Sequence, residues 1–150
     1  MNEKRRTTVR SVIEIELRSN LDDRGALTAI EGGIDIPFDI ARCYFMHDVV
    51  AARGGHAHRL SQQIVVAVSG SSRIRLSDGV ATDEILLSSP TSGVYIGPMT
   101  WIELPFCSPG AVVLVFASTH YDNSKVIRDW NEYLRERSAT EPSVSQRSEP

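Results

Sequence analysis

Residues 63–68 read Gln, Ile, Val, Val, Ala, Val, a run with no polar face after its first position. A strand of that kind has no side to give to solvent, so the rest of the chain must cover it twice over. The remaining sequence supplies cover in the same extended form. Runs of strand character at residues 9–17, 26–31, 40–47, 73–76, 84–87, 93–96, 100–104 and 111–118 alternate with turn signals. Those signals are Asp22-Asp23-Arg24-Gly25, Gly32-Gly33, Pro37, Arg53-Gly54-Gly55, Gly70-Ser71-Ser72 and the hairpin-closing Ser77-Asp78-Gly79. Short strands at this spacing close into a sandwich or barrel. One stretch departs from the pattern. After Asn123, the residues Val126, Ile127, Trp130, Tyr133 and Leu134 recur at helical spacing, with Asp122 or Asn123 available as a cap. The expected fold is an all-β barrel with one amphipathic C-terminal helix packed on it.

Both ends read as tails. Residues 1–8 are polar and charged, and residues 138–150 (SATEPSVSQRSEP) offer almost nothing to bury, so disorder is expected on either side of one domain at 9–137. A net charge of −3 leaves no electrostatic footprint for nucleic acid or a membrane surface, and the one basic run, Lys4-Arg5-Arg6, falls in the N-terminal tail. No apolar stretch nears the roughly 20 residues that cross a bilayer, and residues 1–10 lack the apolar centre of a secretory signal. Cys43 and Cys107 lie in apolar segments and read as free buried thiols of a reducing compartment, which makes cytoplasm the expected location.

The chemistry gathers just ahead of the apolar strand. In extended chain, residues i and i+2 share a face, so His56 and His58 project together while Ala57 turns the other way. This stretch, with Gln63 and Gly70 behind it, resembles the first motif of the cupin superfamily: a Gly-led His-x-His, an acid a few residues on, and a closing Gly. Metal-binding cupins add a third histidine from a later strand. Here neutral Gln63 stands where the acid belongs, and residues 93–103 hold no histidine, though Glu103 is near enough in sequence to substitute. Two imidazoles without an anionic partner make a poor metal site but a workable acid–base pair, because imidazole titrates near neutrality. A metal-dependent cupin using His56, His58 and Glu103 stays open as an alternative. His47 and His120 read as tolerated polar residues.

From the Asp22 turn to the C-terminal helix, the chain resembles one cupin branch, the nucleotide-sugar 3,4-ketoisomerases of deoxysugar biosynthesis. The resemblance rests on ordered segments: Asp23-Arg24-Gly25 with Leu27 and Ile30-Glu31; Ile36-Pro37-Phe38-Asp39-Ile40; Arg42 with Tyr44; Arg53-Gly54 before His56-Ala57-His58; and Gln63 before Val68-Ser69-Gly70-Ser71. Further on come Leu76 with Asp78-Gly79, Tyr95-Ile96 with Pro98 and Trp101, Phe106 with Ser108, and Val115 with Ala117-Ser118, Tyr121-Asp122 and Ile127-Arg128-Asp129. What the resemblance implies is a jelly-roll (double-stranded β-helix) homodimer with exchanged N-terminal strands. The implied substrate is a dTDP-linked 4-keto-6-deoxyhexose, whose carbonyl moves from C4 to C3 through an enediol without metal or redox cofactor. On that template His56 is the C3 base and His58 the oxygen-side shuttle or C4 donor. Arg24 would steady the enediolate, Arg53 the diphosphate and Tyr44 the sugar; Gln63 would line the cavity and Trp101 stack on the base or pentose. Departures are Phe45 where a second tyrosine is usual, Ile102 in place of a frequent histidine or arginine, and Lys125-Val126 in place of Asp-Tyr. Phe45 keeps a further alternative open, a sugar-nucleotide-binding cupin without turnover.

Overall fold

The computed structural model describes residues 2–140. Two antiparallel sheets face each other. The larger runs β1 (Asn2–Arg6), β2 (Val12–Glu16), β10 (Ser92–Ile96), β7 (Gln63–Ser69), β12 (Val112–Ala117), β5 (Arg42–Met46). The smaller runs β13 (Val126–Ile127), β6 (Arg53–His58), β11 (Trp101–Cys107), β8 (Ser72–Ser77), β9 (Thr82–Leu87). A separate hairpin joins β3 (Ser19–Asp22) to β4 (Gly25–Thr28), and α1 (Trp130–Thr140) follows β13. This is the barrel with a C-terminal helix that the strand pattern implies, in the jelly-roll form that the resemblance implies.

The strand without a polar face is β7, and its position explains it. Val65 and Ala67 point between the sheets, where they meet Ile74, Leu76, Ile85 and Leu104 from the opposite layer. Ile64 and Val66 point outward, under Ile36 and Phe38 of the segment that returns from the hairpin. Every side chain from Ile64 to Ala67 is 3% exposed or less, so both faces are covered. A third cluster lies outside the smaller sheet, where α1 brings Tyr133 against Ala57, Trp101 and Ile127.

The ends of the chain differ from the expectation. Residues 2–6, read as a disordered tail, pair with β2 from Asn2↔Glu16 to Arg6↔Ile13, and Arg5 Nε lies 2.6 Å from Glu14 Oε2. Polar composition argues against burial, but an open sheet edge needs only backbone groups from its next strand, so polarity does not forbid pairing. The helix begins later than its apolar period suggests. Asp122 caps a single 3-10 turn at Asn123–Lys125, and Val126 and Ile127 pair with His58 and Ala57 as β13. Asp129 is the residue that caps α1, its carboxylate accepting from Glu132 N at 2.8 Å. Two β-branched residues therefore close the edge of β6 instead of opening a helix. The helix runs on to Thr140, into the expected tail; residues 141–150 lie outside the described chain. Cys43 is exposed, contrary to expectation, because alternation along edge strand β5 turns Arg42, Tyr44 and Met46 inward and Cys43 outward. Among the described residues, no helix is long and apolar enough to cross a membrane.

Tyr133 is fully buried, and its hydroxyl is shared between the carbonyls of Ser77 at 3.1 Å and Met99 at 2.9 Å. Tyr133→Phe keeps the packing and removes that donor, so a urea melt should show a loss of about 1–2 kcal/mol with an unchanged slope. An unchanged midpoint would show that the hydroxyl does not hold α1.

Candidate active site

The site is built on β6. Its register against β11 breaks between Ile102 and Glu103, so that Ile102 faces His56 while Glu103 faces Gly54. Gly54 has φ +88°, and a Cβ there would sit 2.7 Å from the Ile102 carbonyl oxygen, so only glycine fits the bulge. Beyond it the strand alternates cleanly. Ala57 is buried beneath α1, and His56 and His58 face the barrel mouth with ring centroids 4.9 Å apart and planes at 88°.

Arg42 and Tyr44 of β5 meet Tyr121, Val126 and Arg128 of the C-terminal segment around this pair, enclosing a cavity of about 330 Å³. Tyr44 and His56 also border an inner recess of about 200 Å³, whose floor is Val65, Ile102, Leu104 and Val115. Arg42 and His58 border an outer groove of about 550 Å³ that reaches His120, Asp122 and Lys125. Gln63 Nε2 donates to Tyr44 Oη at 3.1 Å. The Arg42 guanidinium lies 5.1 Å over the Tyr44 ring and 5.3 Å over the Tyr121 ring. Among the described residues, Arg42 Nε and His58 Nε2 are buried without a hydrogen-bond partner. Such groups carry an unpaid desolvation cost that a polar ligand in the cavity would relieve.

The electrostatics favour neutral imidazoles. Burial is the largest cause in both rings. It lowers His58 to about 4, with His56, Arg42 and Arg128 adding to the effect. It lowers His56 together with Arg128, against a hydrogen bond to the Gly54 backbone. Burial also raises Tyr44, more than Arg42, Gln63 and Arg53 lower it, so its phenol keeps its proton at neutral pH. The cavity thus combines two neutral bases, a neutral O–H donor and fixed positive charge.

Of the residues singled out from sequence, His56, His58, Tyr44 and Gln63 converge here, and Arg53 borders the inner recess. Trp101 does not. Ile102 takes the inward position opposite His56, so its neighbours in β11 point outward: Trp101 packs on Trp130 and Tyr133 at 5.2 and 5.5 Å. Its Nε1 donates to Glu103 Oε1 at 3.1 Å, and Glu103 also binds Arg75 at 3.2 Å. Glu103 therefore faces away from the imidazoles, and the described residues hold no group of three or more His, Cys, Asp or Glu suited to a metal. Arg24 is also absent from the cavity. It sits at the tip of the β3–β4 hairpin on Asp22, its side chain 90% exposed. Phe45 borders the inner recess, but its ring is exposed and lies beside His47. Arg42, Tyr121 and Arg128 were not assigned roles from sequence. Arg42 was within reach, since it stands two residues before Tyr44 on the same strand face; the other two come from a segment whose path no local pattern reveals.

Residues 10–138 match the family model FdtA: WxcM-like, C-terminal. The chain is 40% identical over 123 residues to the TDP-4-oxo-6-deoxy-alpha-D-glucose-3,4-oxoisomerase of Aneurinibacillus thermoaerophilus, covering 81% of this chain and 88% of that one. Its backbone is similar to that of a mutant of the 3,4-ketoisomerase QdtA from Thermoanaerobacterium thermosaccharolyticum in complex with TDP-4-keto-6-deoxyglucose. That match has a TM-score of 0.86 and 37% identity, over 89% of this chain and 98% of that one. It is also similar to the WlaRB TDP-quinovose 3,4-ketoisomerase of Campylobacter jejuni, with TM-score 0.82 and 39% identity over 85% and 99%.

The imidazole shifts set a pH dependence. A histidine whose folded pKa is lowered favours its neutral form, so its contribution to stability is complete above the ordinary value of 6.5 and is lost as pH falls toward about 4. Urea midpoints of the parent chain should fall across that window, and His58→Gln should flatten the fall. Parallel curves for parent and variant would mean that the ring titrates normally.

Proposed function

The chain belongs to the FdtA (WxcM-like, C-terminal) family, and on that premise we propose that it converts a dTDP-linked 4-keto-6-deoxyhexose to its 3-keto isomer, with His56 and His58 moving the protons. It is a sugar-nucleotide 3,4-ketoisomerase. The observation that carries the mechanism is the neutral histidine pair sharing one cavity wall with a protonated phenol and an arginine.

The reaction is an internal redox exchange. A base takes the hydrogen from C3, made acidic by the C4 carbonyl, and the electron pair forms C3=C4 as the C4 oxygen gains a proton. The C3 hydroxyl then gives up its proton to become the new carbonyl, and C4 is protonated. Atoms and electrons balance within the sugar. His56 is the better base of the two, because His58 suffers the larger depression, to about 4. His58 suits transfer between the two oxygens, which needs a relay more than a strong base. Positive charge at Arg42 and the Tyr44 hydroxyl favour the enediolate as it forms. The field that lowers the imidazoles also stabilises this anion.

The surroundings fit the rest of the substrate. C1 lies across the pyranose from C4, so a sugar with C3 and C4 at the histidines sends its diphosphate toward the outer groove, past Arg42 and Lys125. The C5 methyl of a 6-deoxy sugar faces the apolar floor of Val65, Ile102, Leu104 and Val115. We also propose a homodimer with exchanged N-terminal strands, the exchanged pair being the β3–β4 hairpin, because β1 and β2 pair within their own chain's sheet. The β3–β4 hairpin leaves Leu21 and Leu27 at 82% and 63% exposure, an apolar surface that asks for cover. In such a dimer Arg24 serves the partner subunit's site.

In deuterated buffer the enzyme should place deuterium at C4 of the product and C3 of recovered substrate; no incorporation would make the chain a binder only. His56→Asn should lower turnover about 10²- to 10⁴-fold with the fold intact, and undiminished turnover would remove His56 from the mechanism. Co-expressed Arg24→Ala and His56→Asn subunits should regain activity that neither has alone. No regain in purified mixed dimers would mean that Arg24 does not cross the interface.

A further inference from the structure

Arg59 follows His58 on the chain, and its side chain points the opposite way, toward α1. Nε donates to Glu136 Oε2 at 2.9 Å, and Nη2 donates to Glu136 Oε1 at 2.6 Å and Glu132 Oε1 at 3.2 Å. Nη1 donates to the Ser124 carbonyl at 2.9 Å, and the backbone N–H of Arg59 donates to the Lys125 carbonyl at 2.9 Å. One guanidinium therefore grips the chain before β13 and again in α1.

Between the two grips lie residues 126–129. Val126 and Arg128 border the cavity on the histidine side. Arg128 Nη2 reaches Tyr121 Oη at 3.5 Å, too long a contact to hold a flexible side chain. The base of that side chain is set by its backbone, which lies between the two anchor points of Arg59. We propose that Arg59 is a positioning residue, whose clamp on Ser124, Glu132 and Glu136 holds the Arg128 charge over the His56–His58 pair.

The clamp is suited to local work. Its side chains are 27%, 44% and 35% exposed for Arg59, Glu132 and Glu136, and pairs at such exposure contribute little to global stability. The imidazoles are faced by one another on β6, by Arg42 and Tyr44 from β5, by Arg53 at the recess, by Tyr121 and Arg128 from the C-terminal segment, and, across the outer groove, by His120, Asp122 and Lys125. Among these, Arg128 is the leading charge on His56, second only to burial, whereas His58 feels His56 and Arg42 first. Loosening the clamp therefore acts on His56 more than on His58. That His56 is the C3 base rests on the ketoisomerase reading; the positional claim does not.

The test is an NMR titration of the histidine rings in the full chain without ligand, so it needs no turnover and stays decisive if the isomerase assay fails. Arg59→Met should raise the His56 pKa by about 0.5 unit at low salt, the scale of one nearby charge in a largely aqueous setting. Arg128→Met should raise it at least as far, and the double variant no further than Arg128→Met. A rise from Arg59→Met that adds in full to that of Arg128→Met, or no rise at all, would overturn the proposal. Should Arg59→Met not fold, Glu132→Gln with Glu136→Gln releases the same anchors. Removing two negative charges by itself lowers an imidazole pKa, so a rise in that variant supports the clamp and a fall refutes it. In an active preparation, the acidic limb of kcat/KM should move with His56, and Arg59→Lys should return part of the shift.

Discussion

One strand has to satisfy two incompatible surroundings, and most of the molecule is arranged around that demand. β6 presents Ala57 to a dry cluster under α1 and two imidazoles to a cavity on its other face. A strand between such faces keeps its place only if both edges are paired, because an unpaired backbone group beside a buried surface is costly. β11 supplies one edge and the two residues of β13 supply the other. The late start of α1 follows directly. Had Val126 and Ile127 wound into helix, the edge of β6 beside His58 would stand open.

The bulge at Gly54 is the second device in the same strand. It absorbs a register shift past Ile102, so that Glu103 pairs with Gly54, while alternation along β11 turns Ile102 inward and Trp101 and Glu103 outward. A choice of face at one residue thus separates a cavity with an apolar floor from one with an acidic third ligand. The sequence favours the first and leaves the second open, and they differ by one step of alternation.

Burial and positive charge then act together. The same enclosure that lowers both imidazoles raises Tyr44, which leaves neutral bases beside a neutral acid. Arginines 42 and 128 make the imidazoles harder to protonate and a developing enediolate easier to form, so one field serves both requirements of a proton transfer through an anion.

What could be read without coordinates was whatever the covalent chain imposes locally. The period of two placed His56 and His58 on one face and Ala57 on the other, and the apolar run of residues 64–68 required cover on both sides. Both follow from strand stereochemistry and from the cost of leaving apolar surface in water. Composition also misled: polar residues 2–6 complete a sheet edge through backbone groups that side-chain type does not govern. The tertiary structure alone decided which way Trp101 faces, that Arg24 stands outside its own chain's cavity, and that Arg42 and Arg128 join the histidines. Those outcomes depend on register and on the meeting of segments far apart in the chain. They are set by many weak packing and pairing energies summed over the whole fold, and no short stretch of sequence carries that sum.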